Sequence, residues 1–134
     1  MRILIADDHE VVRKGICSIL AERKDLEICG EAADGREAME QASQTKPDVI
    51  ILDISMPRLD GFAAAREIRK FLPHVPIVFL STHTGSGAID QAKLAGAQGY
   101  VKKMQVGSDL LQAVDAVLQN KTFFPSDQSE HASS

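Results

Sequence analysis

The chain has 134 residues, of which 44% are hydrophobic and 25% charged, with a formal net charge of −4. That length suits one domain with one adequate core, and an acidic balance argues against a domain that grips nucleic acid by itself. No apolar run approaches the roughly 18 residues of a membrane span and no basic-then-apolar leader opens the chain, so a soluble, cytoplasmic protein without a membrane partner is expected.

In chain order, "MRILIADD" begins with an unbroken apolar run, Ile3 to Ala6, that ends in acid. Short continuous apolar runs mark strands buried on both faces. "EVVRKGICSILAER" follows, with Val12, Ile16, Ile19 and Leu20 at helical spacing. "LEICGEAA" is a second short strand. "DGREAMEQASQTK" is a predicted helix, with Asp34 as its cap and Glu37 completing a capping-box pattern. Cys17 and Cys29 lie in apolar contexts without metal-like spacing and read as reduced core thiols.

"DVIILD" is the clearest strand and ends at Asp53. "ISMPRLDG" is a loop marked by Pro57 and Gly61, and "FAAAREIRKFL" is a helix stopped by Pro73. "PIVFLS" is a buried strand ending at Ser81. "THTGSG" is a loop, with Gly85 and Gly87 predicting a frayed or late start to the helix over "AIDQAKLAG"; each glycine inside a helix costs about 1 kcal/mol relative to alanine. Gly96 is the expected stop of that helix. "QGYVKK" is a fifth strand, and Ser108 is the expected cap of a last helix, "DLLQAVDAVLQ".

Five alternating strand–helix units imply a parallel sheet covered on both faces. Closed barrels of this kind need about twice the length. The expected fold is therefore α/β, an open five-stranded parallel doubly wound sheet, flavodoxin-like if its strand order is 2-1-3-4-5. Residues 1–121 form the domain and 122–134 a tail or linker.

Sites in such sheets form at the carboxyl ends of strands, near the reversal of strand order. Those ends carry Asp7 and Asp8, Asp53, Ser81 with Thr82, and Lys102 with Lys103. Strands 1 and 3 would be neighbours, so three carboxylates would converge and raise one another's pKa. A hard divalent cation relieves that repulsion, and a site with few carboxylates suits Mg²⁺ better than Ca²⁺. A carboxylate can also act as a nucleophile toward phosphorus, with metal, ammonium and hydroxyl stabilising the phosphoryl oxygens. His9 and His83 lie close to the acids in sequence but are not read as ligands, and His74 and His131 carry no expected role.

"ILIADDHEVVRKGI", "PDVIILDISMPRLDG", "IVFLSTH" and "AGAQGYVKK" together resemble the receiver domain of two-component response regulators, over about residues 2–120. "DDHEVVRKG" looks most like the subfamily that joins a receiver to a LuxR-type helix-turn-helix. The resemblance implies a phosphoacceptor switch rather than an enzyme, in which Asp53 takes a phosphoryl group from a sensor histidine kinase. It implies Mg²⁺ on Asp8, Asp53 and the Ser55 carbonyl, with Asp7 acting through water. Ser81 would be the switch hydroxyl and Tyr100 the switch aromatic, rotating inward on phosphorylation. Pro57 and Gly61 would shape the loop after Asp53. Strand alternation leaves the choice between Lys102 and Lys103 open, although Lys103 lies one residue nearer the site. The family's lysine falls three residues after the switch aromatic, which selects Lys103. Lys102 and Met104 depart from the family pattern. A homodimer is compatible with the resemblance, and DNA would be met only through an output domain beyond this chain; a stand-alone receiver is the alternative. A phosphatase of the haloacid dehalogenase type would need an acid where Ser55 stands, and a flavin binder would need a phosphate loop where "DDHE" stands.

Overall fold

The computed structural model describes residues 1–82 and 86–125; the expectations for His83, Gly85, His131 and the tail 126–134 lie outside the described residues. Strands β1 (Arg2–Ala6), β2 (Glu27–Ala32), β3 (Val49–Asp53), β4 (Ile77–Ser81) and β5 (Gly99–Lys102) form one sheet of order β2-β1-β3-β4-β5. Every pairing is parallel. Helices α1 (Glu10–Ala21), α2 (Gly35–Thr45), α3 (Gly61–Phe71), α4 (Ser86–Leu94) and α5 (Val106–Leu118) make the crossovers. This is the flavodoxin-like order expected from the sequence.

Strand alternation divides the core into two layers. In β3, Ile50 and Leu52 face a cluster with Ala38, Ala64, Ala65, Ile68 and Ile89 from α2, α3 and α4. Val49 and Ile51 face the opposite cluster, with Ile16, Leu20, Leu110 and Val114 from α1 and α5. All five residues of β3 are buried, which is why its sequence shows no polar alternation. Each such aliphatic side chain contributes about 1.5–3 kcal/mol on burial, and truncating Ile51 to alanine would cost about 2–5 kcal/mol.

The helix ends show how local sequence feeds this packing. The Asp34 carboxylate accepts the Glu37 amide at 2.8 Å, as the capping-box pattern predicts, but Glu37 reaches back to the Ala33 amide at 2.7 Å, one residue earlier than the standard reciprocal bond. Asp60 caps α3 by accepting from Ala63 at 2.9 Å. Two expectations are corrected. α4 begins at Ser86, so Gly87 lies within its first turn instead of delaying it. Ser108 does not cap α5. A 3-10 turn over Lys103–Gln105 runs directly into the helix, which starts at Val106. Ser108 therefore sits inside the first turn, bonding the Gln105 carbonyl at 3.2 Å.

Arg69, at the end of α3, ties the far end of the molecule together. Its guanidinium donates to the carbonyls of Leu72, Val75 and Gly96 and to the Gln98 side chain. Gly96 ends the α4 crossover at φ 90°, a left-handed value that favours glycine. Burial pushes the Arg69 guanidinium below its ordinary pKa. Cys17 and Cys29 are free and half-buried.

Candidate acidic site at the carboxyl edge of the sheet

Asp7 follows β1 directly, and its amide bonds the Ala32 carbonyl of β2 at 3.0 Å. The chain then turns into α1, and Asp7 Oδ1 accepts the His9 amide at 2.8 Å. Arg13, one turn into α1, donates to the Asp7 carbonyl at 2.6 Å and to Glu31 of β2 at 2.9 Å. Asp7 is thus fixed from three elements and is fully buried. Asp8 projects into a more open position, its side chain 29% exposed.

Asp53 ends β3 and is 1% exposed. Its Oδ1 accepts the Ser55 amide at 3.2 Å, and Ile54 and Met56 anchor the following loop in the core. Gly61 closes that loop, donating to the Ile54 carbonyl at 2.8 Å. A Cβ at Gly61 would stand 2.2 Å from the Asp53 carbonyl oxygen, so only glycine allows this approach. Pro57 is exposed in the same loop, and its carbonyl accepts the Leu59 amide at 2.7 Å.

Lys103 spans the two buried acids. Its Nζ lies 3.0 Å from Asp7 Oδ2 and 3.1 Å from Asp53 Oδ2, with 12% of the side chain exposed. Lys102 is the last residue of β5, paired with Ser81. The sequence placed both lysines on a strand, but Lys103 lies in the 3-10 turn, and leaving the strand there puts its long side chain over the sheet's carboxyl edge. Asp7 Oδ2 faces the ammonium yet has no well-directed hydrogen bond. One cation therefore serves two buried carboxylates.

Burial, then the negative charge of Asp7, pushes the Asp53 carboxyl up to about 6, against the pull of Lys103. Burial works against the Lys103 ammonium, but its ion pairs with Asp7 and Asp53 outweigh it and hold the group above its ordinary pKa. Ser81 is 2% exposed and Tyr100 fully buried. Burial raises the Tyr100 phenol, and a hydrogen bond with Ser81 offsets part of that. This corrects the expected inward rotation: Tyr100 already lies in the core with Phe79, Ile89 and Ala92. A cavity of about 90 Å³ is lined by Ser81, Thr82, Lys102 and Met104.

Asp7, Asp8, His9 and Asp53 each present one ligand atom within 4.8 Å of the others. Three carboxylates against one ammonium leave a formal charge of −2 (3 − 1). A divalent cation matches that excess, and an oxygen-rich donor set suits Mg²⁺. Sequence reasoning set His9 aside, yet its Nδ1 stands 3.2 Å from Asp8 Oδ1 and 3.4 Å from Asp7 Oδ1. Imidazole is a poor partner for so hard an ion, and His9 remains 65% exposed at the rim. Arg13 and its partner Glu31 went unnoticed in the sequence, where nothing links a helix arginine to an acid on another strand.

The receiver model for response regulators matches residues 3–115. The chain belongs to the response regulator receiver family. Receiver domains generally bind Mg²⁺ at an acidic pocket, and this chain places an aspartate cluster at the carboxyl edge of its sheet. This receiver is 36% identical to response regulator protein VraR of Staphylococcus epidermidis over 124 residues, covering 92% of the chain and 59% of VraR. It is also 36% identical to the uncharacterized transcriptional regulatory protein YxjL of Bacillus subtilis, covering 92% of the chain and 57% of YxjL. Among solved structures, it superposes on a LuxR-family two-component response regulator from Aurantimonas sp. SI85-9A1 with a TM-score of 0.90 at 33% identity, covering 96% of this chain and 92% of that one. The receiver thus spans less than two thirds of the length of these curated relatives. Among its described residues, no helix is long and apolar enough to cross a membrane.

Proposed function

We propose that this receiver is the phosphoacceptor switch of a cytoplasmic two-component response regulator, with Asp53 as the acceptor. The observation that carries the reading is the Lys103 ammonium bridging Asp7 and Asp53 at 3.0 and 3.1 Å on the edge where Ser81 also ends its strand. An Asp53 oxygen attacks the phosphorus of a histidine kinase's phosphohistidine. The P–O bond forms, the P–N bond breaks, and the nitrogen lone pair returns to the imidazole. Asp53 needs no general base, because above its pKa of about 6 it is already ionised. Asp8, Asp53 and the Ser55 carbonyl would hold Mg²⁺ directly and Asp7 through a water, and the ion would neutralise charge on the phosphoryl oxygens. Lys103 exchanges part of its contact with the carboxylates for a phosphoryl oxygen, and the Ser81 hydroxyl donates to another. Val11, early in α1, and Met104, next to Lys103, are exposed apolar side chains, each 84% accessible, that a donor protein would meet.

Ser81 engagement shifts the packing of Tyr100 and of α4, β5 and α5, a population shift between two arrangements. YxjL is named a transcriptional regulatory protein, and the output proposed for this receiver is likewise transcription, acting through a DNA-binding domain outside the receiver. The test is incubation with acetyl phosphate and Mg²⁺, followed by intact-mass and peptide analysis. One added phosphoryl group, located to Asp53 and not formed when EDTA replaces Mg²⁺, is expected. Labelling that persists unchanged in Asp53→Asn would refute the assignment.

A further inference from the structure

The sheet does not stop at β5. After α5, Asn120 takes a left-handed conformation, φ 64°, and the amides of Asn120 and Lys121 bond back to Val117 and Ala116 at 3.1 and 2.9 Å. That pattern closes a helix with a left-handed residue and redirects the chain. Residues 122–124 then run along the open edge of β5. The Phe123 amide donates to the Gln98 carbonyl at 3.0 Å, and the Tyr100 amide donates to the Phe123 carbonyl at 2.8 Å, making a parallel bridge to Gly99.

The two phenylalanines straddle the edge as alternate strand residues do. Phe123 packs with the α1–α5 core and Phe124 with the opposite one. The Lys93 ammonium of α4 stands 4.9 Å from the Phe124 ring centroid. The next ladder bond would come from the amide of residue 125, which is a proline and has no N–H. Pairing therefore ends after a single bridge. Beside the segment a void of about 260 Å³ remains, lined by Tyr100, Lys102, Gln105 and Asp109. One bridge, two half-buried rings and an unfilled groove make a contact that is specific yet shallow.

We propose that the β5 edge is a strand-docking site whose occupant is the chain's own segment 122–124, and that its occupancy is linked to the state of Asp53 through Tyr100 and Ser81. The linkage rests on the phosphoacceptor reading above; the docking does not. Tyr100 joins the two ends: its amide holds Phe123, and its phenol bonds with Ser81. When Ser81 turns to a phosphoryl oxygen, the phenol loses that partner and the docked packing loses support. Phosphorylation and docking then oppose each other, and the coupling is reciprocal. Release frees the β5 edge and slackens the chain that leads toward any following domain.

The test uses the full chain and two variants. Phe123→Pro removes the ladder donor, and Pro125→Val supplies the missing one. Hydrogen exchange at the Tyr100 amide, with Mg²⁺ and no phosphodonor, should be faster in Phe123→Pro and slower in Pro125→Val, each by roughly fivefold for one net hydrogen bond. Equal rates in all three proteins would overturn the docking. Beryllofluoride, a phosphoryl mimic, should then bind Phe123→Pro more tightly and Pro125→Val more weakly than wild type. Equal affinities would overturn the linkage. Failure of the wild type to bind beryllofluoride would overturn the phosphoacceptor reading and the linkage together, while the Tyr100 exchange rates still decide the docking.

Discussion

Replacing Asp53 with asparagine should make the metal-free protein more stable at neutral pH. Burial and the charge of Asp7 raise the Asp53 carboxyl from 3.8 to about 6 in the folded state. A raised carboxylate means that the folded state holds its proton more tightly than the unfolded chain does. The associated stability is therefore present at low pH and is lost as pH climbs from about 4 through about 6. Two pK units at about 1.4 kcal/mol each make the cost at pH 7.5 about 3 kcal/mol. Asparagine keeps the shape and removes the charge, and the value of about 6 already includes the pull of Lys103, so the loss of that pair is not subtracted again. A gain approaching about 3 kcal/mol is expected. With a urea m-value of about 1–3 kcal/mol per molar, the unfolding midpoint should rise by roughly 1 M or more. The assay is urea unfolding followed by far-ultraviolet circular dichroism, in EDTA, at pH 4.5 and 7.5. The difference between variant and wild type should be near zero or negative at the lower pH and positive at the higher. A variant no more stable at pH 7.5, or a difference that does not change with pH, would refute the account of Asp53 as a repelled, desolvated carboxylate.

Lys103→Ala leaves two buried carboxylates facing each other and should cost about 3 kcal/mol or more without metal, whereas Lys102→Ala should stay within about 0.5 kcal/mol. Urea unfolding and acetyl phosphate labelling of the pair check this, and equal effects would place the wrong lysine in the site. Gly61→Ala drives a Cβ to 2.2 Å from the Asp53 carbonyl oxygen and 2.8 Å from Ile54 Cα, so the loop must shift. Expected are a loss of more than about 2 kcal/mol and slower Asp53 labelling; a variant that labels and unfolds like the wild type would show that the loop yields without moving Asp53. Asp34→Ala removes the bond to Glu37 and should cost about 1 kcal/mol while leaving labelling unchanged, a control for general loss of stability.

Much of this molecule was legible one residue at a time. The apolar runs of β1, β3 and β4 betray strands buried on both faces, because a covered parallel sheet removes any need for polar alternation. Asp7, Asp8, Asp53 and Ser81 could be placed at the reactive edge because a strand's last residue is fixed by where its apolar run ends. Asp34 could be named a cap because its partner amide is three residues away. These signals are local, and local chemistry is written in order along the chain. The partners of the remaining interactions are distant in sequence. Lys103 meets acids at positions 7 and 53 because the chain leaves β5 in a 3-10 turn; strand alternation alone could not choose it over Lys102. Tyr100 lies inward before any phosphoryl group arrives, since the packing of α4 and β5 decides its place. Arg13 holds the Asp7 carbonyl only because α1 crosses beside β2. Phe123 reads as the start of a linker, because one bridge to residue 99 leaves no period to detect. The sequence by itself determined the elements and the chemistry at their ends; tertiary structure alone decided which charges share a cation and what covers the last strand.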